Sequence, residues 1–108
     1  MFENSYKIRV SSRAIIIDGD KILLVEYGGG KYFNFIGGGI EANETAKEAV
    51  AREVMEESGL TVAVSALVFS LEYEPVHCDK LYGETPQLSI VFACKVKEIG
   101  RASCRERV

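Results

Sequence analysis

The chain has 108 residues, of which 47% are hydrophobic and 27% are charged, a composition typical of one globular domain rather than of a disordered or fibrous protein. Its 16 acidic and 13 basic side chains give a net charge of -3 without a dense basic cluster, so we expect no binding to duplex nucleic acid. No apolar run approaches the roughly 20 residues that span a bilayer, and residues 1–9 lack the apolar centre of a signal peptide. We therefore expect a cytoplasmic location and no membrane partner.

The first part of the chain predicts a β-hairpin. β-Branched residues dominate positions 7–17, which favours a strand. An Asp-Gly pair at 18–19 separates this strand from the apolar run 21–27, and an Asp-Gly pair between two apolar runs is a strong hairpin signal.

A short aromatic segment at 31–36 predicts a third strand. It continues directly into the glycine triplet Gly37-Gly38-Gly39, which we expect to leave the strand as a turn or loop. Glycine lets the backbone approach a ligand closely, and a helix N-terminus nearby favours anions. A tight turn that needs positive φ is the alternative interpretation of the triplet.

Between Asn43 and Gly59 the apolar residues follow a helical period, with Asn43 as the predicted N-cap and Gly59 just past the C-terminus. The apolar side of this helix comprises Ala46, Ala49, Val50, Val54 and Leu60. We expect this side to pack on the sheet. Residues 60–73 predict one or two strands, residues 74–86 a connecting loop, and residues 87–96 a last strand.

The helix carries three carboxylates on one side. At about 100° per residue, Glu53, Glu56 and Glu57 fall within an arc of about 100° that borders the apolar side. Like charges at this spacing repel each other, and neither Lys31 nor Lys47 is placed to offset them. A hard cation such as Mg²⁺ or Mn²⁺, bound through carboxylate and carbonyl oxygens, would remove the repulsion. A solvated acidic face is the alternative.

The glycine and acidic residues have the spacing of a known signature at every fixed position. The fixed residues are Gly38, Glu44, Arg52, Glu53, Val54, Glu56, Glu57, Gly59 and Leu60. This pattern resembles the Nudix box of the Nudix hydrolases, which include MutT-like proteins, and the strand, loop, helix and turn around it are the context that the box requires. Residues 32–39 resemble the family's approach to the box, with Ile36 where the family often has proline.

The resemblance implies an α+β fold, an α/β/α sandwich with a mixed β-sheet. It also implies a pyrophosphohydrolase that cleaves a nucleoside diphosphate linked to another group, by attack of water on phosphorus with Mg²⁺ or Mn²⁺ as cofactor. The acidic chain favours a small nucleotide substrate, such as a nucleoside triphosphate, ADP-ribose or a nucleotide sugar. The oligomeric state is left open, a homodimer included.

The resemblance also implies roles for single residues. Glu53, Glu56 and Glu57 are the expected metal ligands, together with a backbone carbonyl of Gly37 or Gly38. The backbone of Gly37, Gly38 and Gly39 is the expected contact for the substrate.

Glu53 is the first candidate for the general base, because a carboxylate beside a metal-bound water needs little movement to accept its proton. Glu74 and Glu84, in the loop after the box, are the alternatives. Arg52 points away from the acidic arc on a helical wheel. We expect Arg52 and Glu44 to support catalysis by holding the loop and the helix together through ion pairing.

The cysteines and the C-terminal segment stand outside this resemblance. Cys78, Cys94 and Cys104 have neither metal-site spacing nor an even number, so we expect reduced thiols and no structural zinc. Residues 98–108 contain three arginines without apolar periodicity and resemble the in-frame translation of a sequencing-adapter oligonucleotide. We therefore expect residues 1–97 to form the Nudix domain, lacking its closing C-terminal helix, and residues 98–108 to be a non-native tail rather than a basic arm.

Three alternative functions follow from the same residues. The first is a non-catalytic Nudix module that binds a nucleotide, although such a binder has no need for three crowded carboxylates. The second is a prenyl diphosphate isomerase, for which Cys78 or Cys94 has no evident glutamate partner. The third is an inactive truncated fragment.

Overall fold

The β-branched and aromatic runs of the sequence become strands, and the one helical period becomes the helix that packs on them. The computed structural model describes residues 8–74 and 85–99. Within these ranges the elements are β1 (Arg9–Asp18), β2 (Lys21–Ile22), β3 (Leu24–Tyr27), β4 (Tyr32–Gly39), α1 (Ala46–Ser58), β5 (Leu60–Tyr73) and β6 (Gln87–Ile99).

The sheet is mixed, as the resemblance implied. Its strand order is β3-β4-β1-β6-β5, with β2 paired to β1 outside this path. Strands β1 and β6 are parallel, and the other pairings are antiparallel. The turn of the predicted hairpin is confirmed, because Asp18 pairs with Lys21 and Gly19 adopts the positive φ, 65°, that such a tight turn requires. The run 21–27 is not the single strand that we predicted, since β2 pairs with β1 whereas β3 pairs with β4.

Residues 60–73 form one long strand rather than two. Strand β5 pairs with β6 along its whole length, with register shifts at Thr61/Val62, Val64/Leu67 and Leu67/Phe69. Such bulges increase the local twist and bend of a strand, which lets β5 follow β6 without breaking.

The core lies between the sheet and α1. The core cluster consists of Ala14, Ile16, Ile36, Val50, Val54, Val62, Phe92 and Cys94. The predicted apolar side of the helix is confirmed, since Ala49, Val50 and Val54 are fully buried while Ala46 and Leu60 pack against the cluster. The Ser12 hydroxyl adds a polar contact by donating a hydrogen bond of 2.7 Å to the Ala46 carbonyl.

The helix begins two residues later than the sequence predicted. Thr45, and not Asn43, is the N-cap, because its side chain accepts from the Glu48 N–H while the Glu48 carboxylate accepts from the Thr45 N–H. This reciprocal pair satisfies two donors at once. Asn43 instead takes a positive φ of 68° in the preceding turn, a conformation that asparagine tolerates. The predicted end is confirmed, since left-handed Gly59 donates its N–H to the Met55 carbonyl.

The glycine triplet belongs to β4 and is not the turn that we expected. Gly37, Gly38 and Gly39 pair with β1, where they lie opposite Arg13, Ser12 and Ser11. At Gly37 the φ is 152°, and a Cβ there would overlap the Ser12 carbonyl oxygen and lie 2.7 Å from Arg13 Cα. Glycine at this position therefore serves a close backbone contact inside the sheet.

Several sequence predictions fall on residues outside the described ranges. These are the cysteines Cys78 and Cys104, the alternative base Glu84, and most of the 74–86 loop. Of the C-terminal segment 98–108, positions 98 and 99 belong to β6 and the remainder lies outside. No helix in the described part of the chain is long and apolar enough to cross a membrane.

We expect Gly37→Ala to destabilise the protein by about 3 kcal/mol or more, because the new methyl group meets rigid backbone and an unfavourable φ. Urea unfolding measures this loss. Gly29→Ala is the matched control: Gly29 also has a positive φ, 66°, but a Cβ there meets nothing within 4 Å, so it should cost only about 1 kcal/mol. Equal destabilisation by the two variants would contradict the predicted collision.

Candidate active site

The candidate site forms where the end of β4, the loop that follows it and α1 meet. The loop is held to the helix by Glu44, whose carboxylate accepts a 2.8 Å hydrogen bond from the Glu41 N–H and faces Arg52 of α1. The helix in turn packs on β4 and β1 through its apolar side. The acidic side of α1 is thereby placed beside the glycine backbone of β4.

Arg52 is the centre of a hydrogen-bond network. Its Nη2 donates to Glu44 Oε1 at 2.8 Å and to the Gly39 carbonyl at 3.1 Å, and its Nε donates to Glu44 Oε2 at 3.1 Å. Its Nη1 donates to Glu53 Oε2 at 3.1 Å and to Glu56 Oε1 at 3.3 Å. The two-point contact with Glu44 is the geometry that a guanidinium favours with a carboxylate. These contacts lower the pKa of Glu44 and raise that of Arg52.

The position of the Arg52 side chain differs from the prediction. The helical wheel directed Arg52 away from the acidic arc, yet its guanidinium contacts both Glu53 and Glu56. A wheel gives the direction of Cβ, whereas a long side chain can turn along the helix surface. Arg52, rather than Lys31 or Lys47, therefore supplies part of the positive charge that offsets these carboxylates.

Glu53 lies directly over Gly38. A Cβ at Gly38 would be 2.6 Å from Glu53 Cδ and 2.7 Å from its Oε2. The Glu53 side chain is only 17% exposed, whereas the side chain of Glu56, three residues further along α1, is 58% exposed. The missing side chain at Gly38 thus creates the space that the Glu53 carboxylate occupies.

Glu57 occupies a less favourable environment than its neighbours. It is half-buried, it accepts a hydrogen bond from the Gly37 backbone, and its Oε1 is buried without a partner among the described residues. Burial is the main cause that raises the pKa of Glu57, with the Glu53 charge next, while the Gly37 hydrogen bond and the Arg13 charge oppose the rise. A buried carboxylate oxygen without a partner is a position that a cation could satisfy.

The three carboxylates do not form a ready-made metal cage. Within the described ranges no group of three acidic, histidine or cysteine side chains has the geometry to hold a metal ion. Arg52 forms ion pairs with Glu53 and Glu56, and Glu57 accepts a hydrogen bond from the Gly37 backbone. The donor set still fits a hard cation, because it consists of carboxylate oxygens, one of them unsatisfied, next to backbone without side chains.

Sequence reasoning missed two residues of β1 that border the site. Ser12 lies opposite Gly38 and Arg13 lies opposite Gly37 in the β1–β4 pairing, and both are buried. A charged residue within a strand of buried residues was the available signal for Arg13.

Of the alternative bases, Glu74 directly follows β5 and is half-buried.

We expect Gly38→Ala to displace the Glu53 carboxylate and to weaken Mn²⁺ binding by about 10- to 100-fold, with little loss of stability because the group that must move is a flexible side-chain end. Mn²⁺ titration followed by electron paramagnetic resonance, beside thermal unfolding, measures both effects. Gly39→Ala is the control, since a Cβ there makes only an ordinary 3.5 Å contact with Arg9. Unchanged Mn²⁺ affinity in Gly38→Ala would refute the prediction.

We expect Glu57→Gln to raise the unfolding temperature of the metal-free protein near pH 7. A raised carboxyl pKa means that ionisation of Glu57 opposes folding, so the wild type loses stability as the pH rises through that raised value. The difference should vanish below the ordinary pKa of 4.5. Glu44→Gln should behave in the opposite way, because the lowered pKa of Glu44 stabilises the fold above pH 4.5 and this contribution is lost as the pH falls. Unfolding scans from pH 4 to pH 8 in EDTA test both signs.

The chain is similar to a known protein family and to several solved structures. A family model of the NUDIX domain matches residues 7–107. No curated protein matches the chain significantly. Among solved structures, a NUDIX hydrolase from Nitrosomonas europaea is 27% identical with a TM-score of 0.76, over 93% of this chain and 66% of its own. An ADP-ribose pyrophosphatase from Streptococcus suis is 25% identical with a TM-score of 0.69, over 94% of this chain and 70% of its own.

A third structure, of a UDP-X diphosphatase, shares the fold at 22% identity with a TM-score of 0.75, over 96% of this chain and 49% of its own. The chain thus spans between 49% and 70% of the length of these structures. Because the family model covers every described residue, the chain belongs to the NUDIX domain family, a family of hydrolases that act on phosphoanhydride bonds.

Proposed function

We propose that the chain is a divalent-metal-dependent pyrophosphohydrolase in which Glu53, Glu56 and Glu57, with the Gly38 carbonyl, hold Mg²⁺ or Mn²⁺. The observation that carries the proposal is the packing of two of these carboxylates against backbone without side chains. Glu53 lies over Gly38, and Glu57 is bonded to Gly37 while keeping one oxygen unsatisfied. Hard oxygen donors beside an accessible backbone suit a cation that carries a diphosphate.

The residues of the chain have separable tasks in this reaction. When bound, the cation would neutralise the diphosphate and make a bound water more acidic. Glu53 accepts the proton of the attacking water, because its carboxylate is only 17% exposed and lies directly over the backbone of Gly38. Attack of this water on phosphorus breaks the bridging P–O bond. Arg52 and Glu44 keep the loop and the helix in register.

Glu74 is a weaker candidate for the base. It follows β5, which lies three strand positions from β4, or about 14 Å across the sheet at the usual strand spacing. A carboxylate must come within hydrogen-bond reach of the water that it deprotonates. Glu53 meets this condition without movement of a whole segment, so we prefer it.

We further propose that the substrate is a small nucleoside diphosphate derivative, namely a nucleoside triphosphate, ADP-ribose or a nucleotide sugar. The net charge of -3 disfavours long nucleic acids, and one of the similar structures is an ADP-ribose pyrophosphatase.

We place the protein in the cytoplasm, because the described thiol, Cys94, is unpaired and buried, with its pKa raised by burial to about 11.

We expect Glu53→Gln to lower turnover at least ~100-fold, since it removes a ligand and the proposed base while preserving shape. The assay measures nucleoside monophosphate release from a panel of nucleoside triphosphates, ADP-ribose and nucleotide sugars with Mg²⁺ or Mn²⁺. EDTA should abolish turnover. Glu48→Gln is the matched control, because it makes the same change on the same helix and its side chain only accepts the capping bond from Thr45.

Equal turnover of Glu53→Gln and wild type would contradict the assignment of Glu53. A folded wild-type protein that binds the panel but turns over none of it would favour the non-catalytic nucleotide-binding module.

A further inference from the structure

One residue pair of the β1–β4 ladder contacts α1 at two points. Ser12 and Gly38 are opposite each other in this ladder. The Ser12 hydroxyl donates a 2.7 Å hydrogen bond to the Ala46 carbonyl, and Gly38 leaves the space that the Glu53 carboxylate occupies. Ala46 and Glu53 are seven residues apart in the helix, or about 10 Å along its axis. Contacts at this separation fix how α1 lies over the Ser12–Gly38 pair.

The Ser12 hydroxyl is polar in a place where the fold needs no polar group. Ser12 is 0% exposed and lies on the face of β1 that carries Ala14 and Ile16, both in the core cluster. An apolar side chain fills such a position without the cost of burying a hydroxyl. A carbonyl in the first turn of an α-helix already accepts the N–H four residues further on, so α1 needs no bond from Ser12 in order to form. The hydroxyl adds a link between β1 and α1 that neither element needs for its own structure.

We propose that Ser12 is a positioning residue of the active site, which holds α1 where Glu53 and Glu57 lie over the glycine backbone. This inference rests on the proposed function, because it concerns the carboxylates assigned to the metal ion. Positions 46, 50, 53 and 57 follow one another along the same side of the helix. A shift of the first turn therefore moves both carboxylates, and metal ligands must be held within about 0.5 Å of their productive positions.

Ser11 shows what a buried serine of this strand does on the other face of the sheet. It is 2% exposed, and its hydroxyl is 2.9 Å from the hydroxyl of Ser89, its partner in the β1–β6 pairing. This bond joins two strands and involves no residue of α1. Ser11 and Ser12 thus share side chain, strand and burial, and they differ in the element to which the hydroxyl is bonded. Ser11→Ala is therefore the matched control for Ser12→Ala.

The test compares the two variants by Mn²⁺ titration followed by electron paramagnetic resonance. Each variant removes one buried, hydrogen-bonded hydroxyl, so both should lose similar stability in urea unfolding. Ser12→Ala should weaken Mn²⁺ binding about 10-fold, the loss typical of groups that orient metal ligands, whereas Ser11→Ala should change it by less than about 2-fold. In the turnover assay Ser12→Ala should lower kcat more than it changes KM. Equal Mn²⁺ affinity of the two variants would overturn the proposal.

Amide NMR spectra of the metal-free protein separate this outcome from failure of the proposed function. In EDTA, Ser12→Ala should shift the amide signals of α1 as far as Glu53 and Glu57, and Ser11→Ala should leave these two signals unchanged. Shifts confined to the first turn of α1 would overturn the proposal, whether or not the protein binds Mn²⁺. A wild type that binds no Mn²⁺ would refute the proposed metal site, while shifts that reach Glu53 and Glu57 would still support the control of helix position by Ser12.

Discussion

The site depends on a stretch of strand backbone that carries no side chains. At Gly37 a Cβ would overlap the backbone of β1, and at Gly38 it would overlap the Glu53 carboxylate. Because neither position carries a side chain, β4 packs closely on β1 and the acidic side of α1 lies over β4. The polar groups that perform the proposed chemistry therefore meet peptide groups directly, which is the arrangement that close approach of a phosphate requires.

Electrostatic balance within the site is uneven. Arg52 offsets the charges of Glu44, Glu53 and Glu56, and it also binds the Gly39 carbonyl. Glu57 forms no ion pair with another described residue, and burial opposes its ionisation. Groups that are held at a cost to stability are concentrated at functional sites, because a ligand rather than the fold satisfies them. The unsatisfied oxygen of Glu57 marks where the metal-free arrangement is least stable.

Charged side chains flank the glycine run of β4 on both faces of the sheet. The Glu53 carboxylate lies over Gly38, on the α1 side, and Arg9 and Arg13 lie over Gly39 and Gly37 on the other. Donors that are left unpaired by the fold remain able to bind an anion, and acceptors left unpaired remain able to bind a cation.

The sequence by itself determined the strands, the helix with its apolar side, the hairpin and the spacing of the box, because each follows from local periodicity or from one turn. Tertiary structure decided the rest. The glycine triplet stays in β4 because Ser12 and Arg13 pair with it. The helix start at Thr45 is instead local, since the reciprocal cap with Glu48 spans only three residues of sequence. The direction of Arg52 and the burial of Arg13 depend on groups distant in the chain, and no local pattern encodes such contacts.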